Sequence, residues 1–230
     1  MRKKRYSKLL SWLLTLAMVL SLTTGMSITV FAGDKDIIVL YTNDVHCGVD
    51  DNIGYAGLAL YKKQMQQQTP YVILADAGDA IQGAPIGTLS EGGYLVDIMN
   101  QVGYDFAIPG NHEFDYGMNR FLELSQKMNC GYYSCNFMDL RTGNTVFAPY
   151  KMFIFGDVKV ALVGASTPES FTKSTPSYFQ NANGTYIYGF CEDESGESLY
   201  AKIQSSVDAA RKDGAAYVIL VGHLGENGTT

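Results

Sequence analysis

The sequence predicts an α/β fold with a mixed sheet, on three observations. Short apolar, β-branched runs alternate with helical periods through the first half of the chain. Two further apolar runs flank Gly156-Asp157, a two-residue gap of the kind that closes a hairpin. Polar residues able to bind metals fall just after the apolar runs, where loops at the carboxyl ends of strands would gather.

The elements follow in order. Ile37 to Tyr41 reads as a buried strand, and Tyr55 to Gln68 as a helix with Leu58, Tyr61 and Met65 inward, stopped by Thr69-Pro70. Tyr71 to Ala75 is a second strand, Gly92 to Val102 a second helix, and Asp105 to Ile108 a third strand ended by Pro109-Gly110. Gly117 to Asn129 has helical period through Phe121, Leu124 and Met128, and Tyr132 to Cys135 is a short strand candidate. Tyr150 to Phe155 and Val158 to Gly164 form the hairpin. Residues 166 to 194, rich in Ser, Thr, Asn and Tyr, read as a long surface loop. Ser195 to Lys212 returns to helical period through Leu199, Ile203 and Val207, and Tyr217 to Val221 is a last strand.

Residues 1–32 are expected to be an export signal. Arg2, Lys3, Lys4, Arg5 and Lys8 form a basic head, Leu9 to Leu22 an apolar stretch, and Val30-Phe31-Ala32 a small-residue cleavage site. The stretch is short of the roughly 20 residues that span a bilayer, so no stable membrane insertion is expected after cleavage. Without these five basic residues, 12 Lys and Arg remain against 23 Asp and Glu, a net of −11. That excludes a nucleic-acid polymer as partner, which would need a basic face. It also means that positive charge for any anionic ligand would have to come from bound cations. Four cysteines, Cys47, Cys130, Cys135 and Cys191, are too few for a disulfide scaffold. Cys47 beside His46 is either a ligand or a small buried apolar residue, the second being preferred.

All three histidines lie in short polar segments: Asn43-Asp44-Val45-His46, Gly110-Asn111-His112-Glu113-Phe114-Asp115, and Val221-Gly222-His223. Asp76-Ala77-Gly78-Asp79 comes between the first two. Asp44 and His46 would share one side if the first strand stayed extended that far. Of the carboxylate pair, Asp79 is preferred over Asp76 as a bridge between two ions ~3.5–4 Å apart. Oxygen and imidazole donors suit Zn²⁺, Mn²⁺ or Fe. Each segment taken singly has a structural alternative: a satisfied histidine, an Asn turn, a strand cap.

In this order the segments resemble the calcineurin-like metallophosphoesterases, in particular the secreted 5′-nucleotidase and 2′,3′-cyclic phosphodiesterase branch, over roughly residues 36 to 230. The resemblance implies a four-layer α/β/β/α sandwich with mixed sheets, and a catalytic domain over residues 33–230. It implies two divalent metal ions, one held by Asp44 and His46, one by Asn111 and His223, with Asp79 on both. His112 would face the phosphate and Asp115 would orient it; Glu113 receives no role. The implied reaction is hydrolysis of a nucleotide or other small phosphate ester by metal-activated water, in a secreted or wall-attached protein. Hydrolysis of nucleotide sugars or non-nucleotide phosphates, or metal binding without turnover, are the alternatives. The family pattern continues with a Gly-His-x-His segment and a substrate-binding domain that these residues do not contain, so a truncated catalytic domain is expected. Cys47, between His46 and Gly48, departs from the family's usual His-Gly step.

Overall fold

Asp76, Asp79, Glu113 and His223 are buried together where the strand ends of two sheets meet, and the fold is what brings them there. The computed structural model describes residues 36–225. The expected export signal therefore lies outside the described residues.

The first sheet is parallel, in the order β1 (Ile38–Thr42), β2 (Val72–Asp76), β3 (Phe106–Ala107). Helices α1 (Gly54–Gln68), α2 (Pro85–Ser90) and α3 (Gly93–Val102) connect these strands. β2 is buried at all five positions, as a central parallel strand covered on both faces must be. After β3 come a 3₁₀ turn (His112–Phe114) and α4 (Met118–Lys127). A small antiparallel sheet follows, ordered β5 (Asn144–Thr145), β4 (Met138–Asp139), β8 (Tyr188–Gly189).

The second large sheet contains β6 (Tyr150–Phe155), β7 (Val158–Ala165) and β9 (Tyr217–Gly222). β6 and β7 form the expected hairpin, with Gly156 at φ 59° at the first turn position, where a two-residue turn asks for positive φ. β9 pairs parallel to β7 after the crossover helix α6 (Glu197–Lys212), so the sheet is mixed.

Alternation along β7 makes the layers. Val160 and Leu162 pack with Ile73, Ala75, Phe106 and Ile108 between the two sheets. Ala161, Val163 and Ala165 face the other way, toward Ala210, Ile203 and Val207 of α6. On the far side of the first sheet, Leu74 and Ala107 pack with Leu58, Leu95, Met99, Phe121 and Leu124 of the helices. Helices, sheet, sheet and helix make an α/β/β/α sandwich.

Three expectations are corrected. The buried stripe of α1 is Tyr55, Leu58 and Lys62, while Tyr61 is 45% exposed. Lys62 is inside because its Nζ donates to Asp105 Oδ2 at 2.7 Å and to Gly103 O, a partner that hydrophobic periodicity does not see. Tyr132 to Cys135 makes only single bridges, Tyr132 with Ala107 and Tyr133 with Ala148, not a strand. Residues 166 to 194 are not a surface loop: they hold α5 (Ser170–Lys173), a 3₁₀ turn (Pro176–Phe179) and β8. Phe179 and Phe190 are fully buried edge-on to Phe114, at 5.2 and 5.4 Å between ring centroids.

Candidate metal centre

Each polar segment begins where a strand stops. Thr42 ends β1, two residues before Asp44; Asp76 ends β2, three before Asp79; β3 ends at Ala107, four before Asn111; Gly222 ends β9, directly before His223. The loops converge at the carboxyl ends of β1, β2, β3 and β9, the rim where open α/β sheets bind ligands.

Asp44 and His46 do not share a side by strand alternation. β1 ends before them, and both residues are left-handed, at φ 52° and 46°, as is Cys47 at 63°. The chain coils back instead: the N–H groups of Asp44, His46 and Cys47 donate to the carbonyls of Gly78, Asp79 and Ala80 at 3.1, 2.9 and 3.0 Å. Asp79 is left-handed as well, at φ 59°. Left-handed backbone costs a residue with a Cβ roughly 1–2 kcal/mol, so the site holds strain that the ladder of backbone bonds maintains.

Two ligand clusters result, one of His46, Asp79 and His112, the other of Asp44, Asp79 and His223. Asp79 belongs to both. His223 Nε2 stands 3.2 Å from Asp79 Oδ2 and 3.2 Å from Asn111 Oδ1, and its Nδ1 donates to Ala77 O at 2.9 Å. His46 Nε2 lies 3.9 Å from Asp79 Oδ2, with its Nδ1 3.1 Å from Gln82 O. Asp44 Oδ1 stands between the histidines, 3.7 Å from His46 Nε2 and 3.9 Å from His223 Nε2. Both imidazoles thus turn Nε2 inward with Nδ1 held by a carbonyl, the arrangement that fixes tautomer and direction in metal-ligating histidines. Asp76 points elsewhere: Thr42 Oγ1 donates to its Oδ1 at 3.0 Å and Gly78 N to its Oδ2 at 3.3 Å. Cys47 is buried and in neither cluster, and the four cysteines are free thiols.

His112 lies at the edge of the cluster, its ring 5.1 Å from that of His46. Asp115 Oδ2 is 2.7 Å from His112 Nδ1, and Ser174 Oγ donates to Asp115 Oδ1 at 3.3 Å. A ring nitrogen of His112 also lies within 4.8 Å of ligand atoms of His46 and Asp79.

The charges suit a cation. No Lys or Arg among the described residues pairs with Asp44, Asp76, Asp79 or Glu113; histidines alone face the first and third. Burial pushes the Asp76 carboxyl up to about 7. Burial, with the charges of Asp79 and Asp76 added, pushes the Glu113 carboxyl up, against the amides of Asp79 and Ala80 that donate to it. For Asp79 burial works the same way, but the hydrogen bond and charge of His223 outweigh it and hold the carboxyl below its ordinary range. His223 shows the other half of that pairing. Burial would depress it, yet Asp79 raises it to about 9. An acceptor-rich set of carboxylate, amide and imidazole groups, with only a proton on His223 for balance, is a donor set fitted to hard or borderline divalent ions.

Glu113 is the residue that sequence reasoning missed. It is fully buried, and three backbone N–H groups donate to it: Asp79 and Gly110 to Oε2 at 2.8 and 2.7 Å, and Ala80 to Oε1 at 2.9 Å. A glutamate followed directly by Phe114, within a polar turn, was the available signal. An open groove of about 680 Å³ runs from Asp44 and His223 between β1 and β9, lined mainly by apolar strand residues such as Val39 and Ile219.

The profile of the calcineurin-like phosphoesterases matches residues 37–229, nearly all of the described chain. The protein belongs to that family. Among curated relatives it is similar to the 5′-nucleotidase of Bos taurus, 29% identical over 83% of this chain and 34% of the relative. It is also similar to Protein UshA of Escherichia coli, 32% identical over 75% of this chain and 33% of that one. The solved structure of the Haemophilus influenzae NAD nucleotidase overlays with a TM-score of 0.67 at 23% identity, over 82% of this chain and 34% of that one. The calcineurin-like phosphoesterase YfkN of Bacillus subtilis overlays at 0.66 and 23%, over 82% and 62%. These two likenesses show the metallophosphoesterase fold. The chain spans about a third of the length of the curated relatives it matches.

Proposed function

We propose that this chain carries the centre of a metal-dependent hydrolase of phosphate monoesters, with nucleotides as the substrate class. The observation that supports this most is that His46 and His223 both face Asp79 Oδ2, with Asp44 3.7 Å from His46 and Asn111 3.2 Å from His223. Asp44 and His46 would hold one divalent ion, Asn111 and His223 the other, with Asp79 on both; Zn²⁺, Mn²⁺ and Fe are the ions these donors suit. Bound there, two such ions lower the pKa of water and neutralise charge on a phosphoryl group.

The remaining chemistry belongs to side chains. His112 meets the phosphate with Nε2 while Asp115 fixes Nδ1, so its proton is aimed at the oxygen that gains charge as the ester bond breaks. Ser174 holds Asp115 in turn. His223 must lose its proton before it can bind a metal. Nucleotide preference rests on the relatives, whose names are those of nucleotidases. Export through residues 1–32, and secretion or wall attachment, belong to the same reading.

The test is phosphate release by the purified chain, stripped with EDTA and reloaded with Mn²⁺ or Zn²⁺. Substrates are an aryl phosphate and AMP, each read by phosphate release, and 2′,3′-cyclic AMP, a diester read by its ring-opened AMP product. Release that depends on metal and favours nucleotides is expected. A folded protein that takes up two ions yet releases no phosphate overturns the catalytic reading, and failure to take up metal overturns the centre itself.

A further inference from the structure

We propose that Glu113 is the positioning residue that sets the distance between the two halves of the metal centre, an inference that rests on the metal reading above. Its side chain is fully buried and touches no solvent, so it has no direct contact with substrate. What it touches is backbone. The N–H groups of Asp79 and Ala80 follow a left-handed turn and converge, as successive amides do where proteins bind anions. Here the anion is the protein's own carboxylate. Its Oε2 takes a further N–H from Gly110, in the loop after β3. One carboxylate thus joins the loop that ends in Asp79 to the loop that continues into Asn111.

The loops are in such close contact that their spacing has one solution. A Cβ at Gly110 would stand 2.3 Å from Asp79 Oδ1, and one at Gly78 2.6 Å from Gly110 N. His112 N adds a second tie, donating to Asp79 Oδ1 at 2.7 Å. Asp79, proposed to touch both ions, and Asn111, proposed to touch one, are therefore held relative to each other through Glu113. The three donors also specify an acceptor-only group. A glutamine there would turn its NH₂ toward at least one N–H in either orientation. The loops would part at the point where ligand separation matters.

The test compares wild type, Glu113→Gln and a control, Asn136→Ala. Asn136 is an equally buried polar residue outside the centre, bonded to the carbonyls of Ser166 and Phe190. Mn²⁺ affinity is measured by equilibrium dialysis and electron paramagnetic resonance, and amide hydrogen exchange is followed in the metal-free proteins. Glu113→Gln is expected to bind Mn²⁺ about 10- to 100-fold more weakly, the usual effect of removing a group that holds ligands in place. Its Asp79, Ala80 and Gly110 amides should exchange faster. Asn136→Ala should be less stable, with Mn²⁺ affinity unchanged. A folded Glu113→Gln with wild-type affinity overturns the proposal, and so does an equal loss in Asn136→Ala. If Glu113→Gln does not fold, Glu113→Asp replaces it, keeping the charge but shortening the reach; wild-type affinity there overturns the proposal equally. Wild-type protein that binds no Mn²⁺ overturns the metal reading and this inference with it, whereas loss in the variant alone supports both.

Discussion

The backbone N–H of His112 donates to Asp79 Oδ1 at 2.7 Å, while Oδ2 of the same carboxylate faces His223 at 3.2 Å and His46 at 3.9 Å. One oxygen of Asp79 is thus used to place the residue proposed to meet the phosphate, and the other to draw the proposed ligands together. The position of the His112 imidazole and the geometry of the proposed centre share a single side chain.

Asp79→Asn should therefore damage both. The amide can still accept from His112, but it removes the charge that both clusters share. Metal content after dialysis should fall from two ions per chain, and turnover by at least about a hundredfold. Full metal content in this variant would refute Asp79 as the shared ligand.

His112→Ala separates chemistry from binding. Turnover should drop by about 10²–10⁴ while metal content stays at the wild-type value. Asp115→Asn should reduce turnover less, because Nδ1 keeps a neighbour but loses its carboxylate. Steady-state kinetics with metal analysis on the same samples decides; lost metal in His112→Ala would make it a ligand instead.

The metal-free protein should lose stability as pH rises from about 5 to 9. Asp76 is raised in the fold, to about 7, from an ordinary value near 4, so the folded state holds its proton where the unfolded chain has released it. His223 is raised to about 9 from about 6.5; its stabilising pairing with Asp79 is fully present below the lower value and is lost as pH passes the higher one. Both contributions have the same sign. Denaturant midpoints in EDTA should fall across this range, and added Mn²⁺ should stabilise most at its alkaline end, where His223 is neutral. Rising stability in EDTA would contradict these shifts.

Phe179→Ala tests whether residues 166 to 194 belong to the core. Phe179 is fully buried against Phe114 and Phe190, so its truncation should cost about 3–5 kcal/mol in urea unfolding. Leu89→Ala, 83% exposed, should change stability by less than about 0.5 kcal/mol.

The sheets were readable because strands are short runs of Val, Ile, Leu and Ala with nothing polar between, as in β2, which is buried throughout, and β9, which is partly exposed. The Gly156-Asp157 hairpin was readable because its turn asks for positive φ. That seven polar residues meet could be anticipated from one fact, that each follows a strand end. How they meet could not. Left-handed turns at Asp44, His46 and Asp79 have no apolar period, and they are held by partners far away in sequence, carbonyls for the first two and the Glu113 carboxylate for the third. Lys62 and Glu113 were illegible for a related reason: a charged residue is placed inside by partners, Asp105 for one and three amides for the other. Residues 166 to 194 misled because their aromatic anchors are spaced by turns, with neither a helical nor a strand period.

The left-handed backbone at His46 sets fold against function. Glycine adopts that conformation without penalty, so His46→Gly would relieve strain and could leave the metal-free chain as robust as before, while removing an imidazole from the centre. A screen that rewarded resistance to heat alone would drift toward such changes and away from activity. Improved variants of this protein would have to be sought with metal bound, where the histidine contributes to the stability being selected.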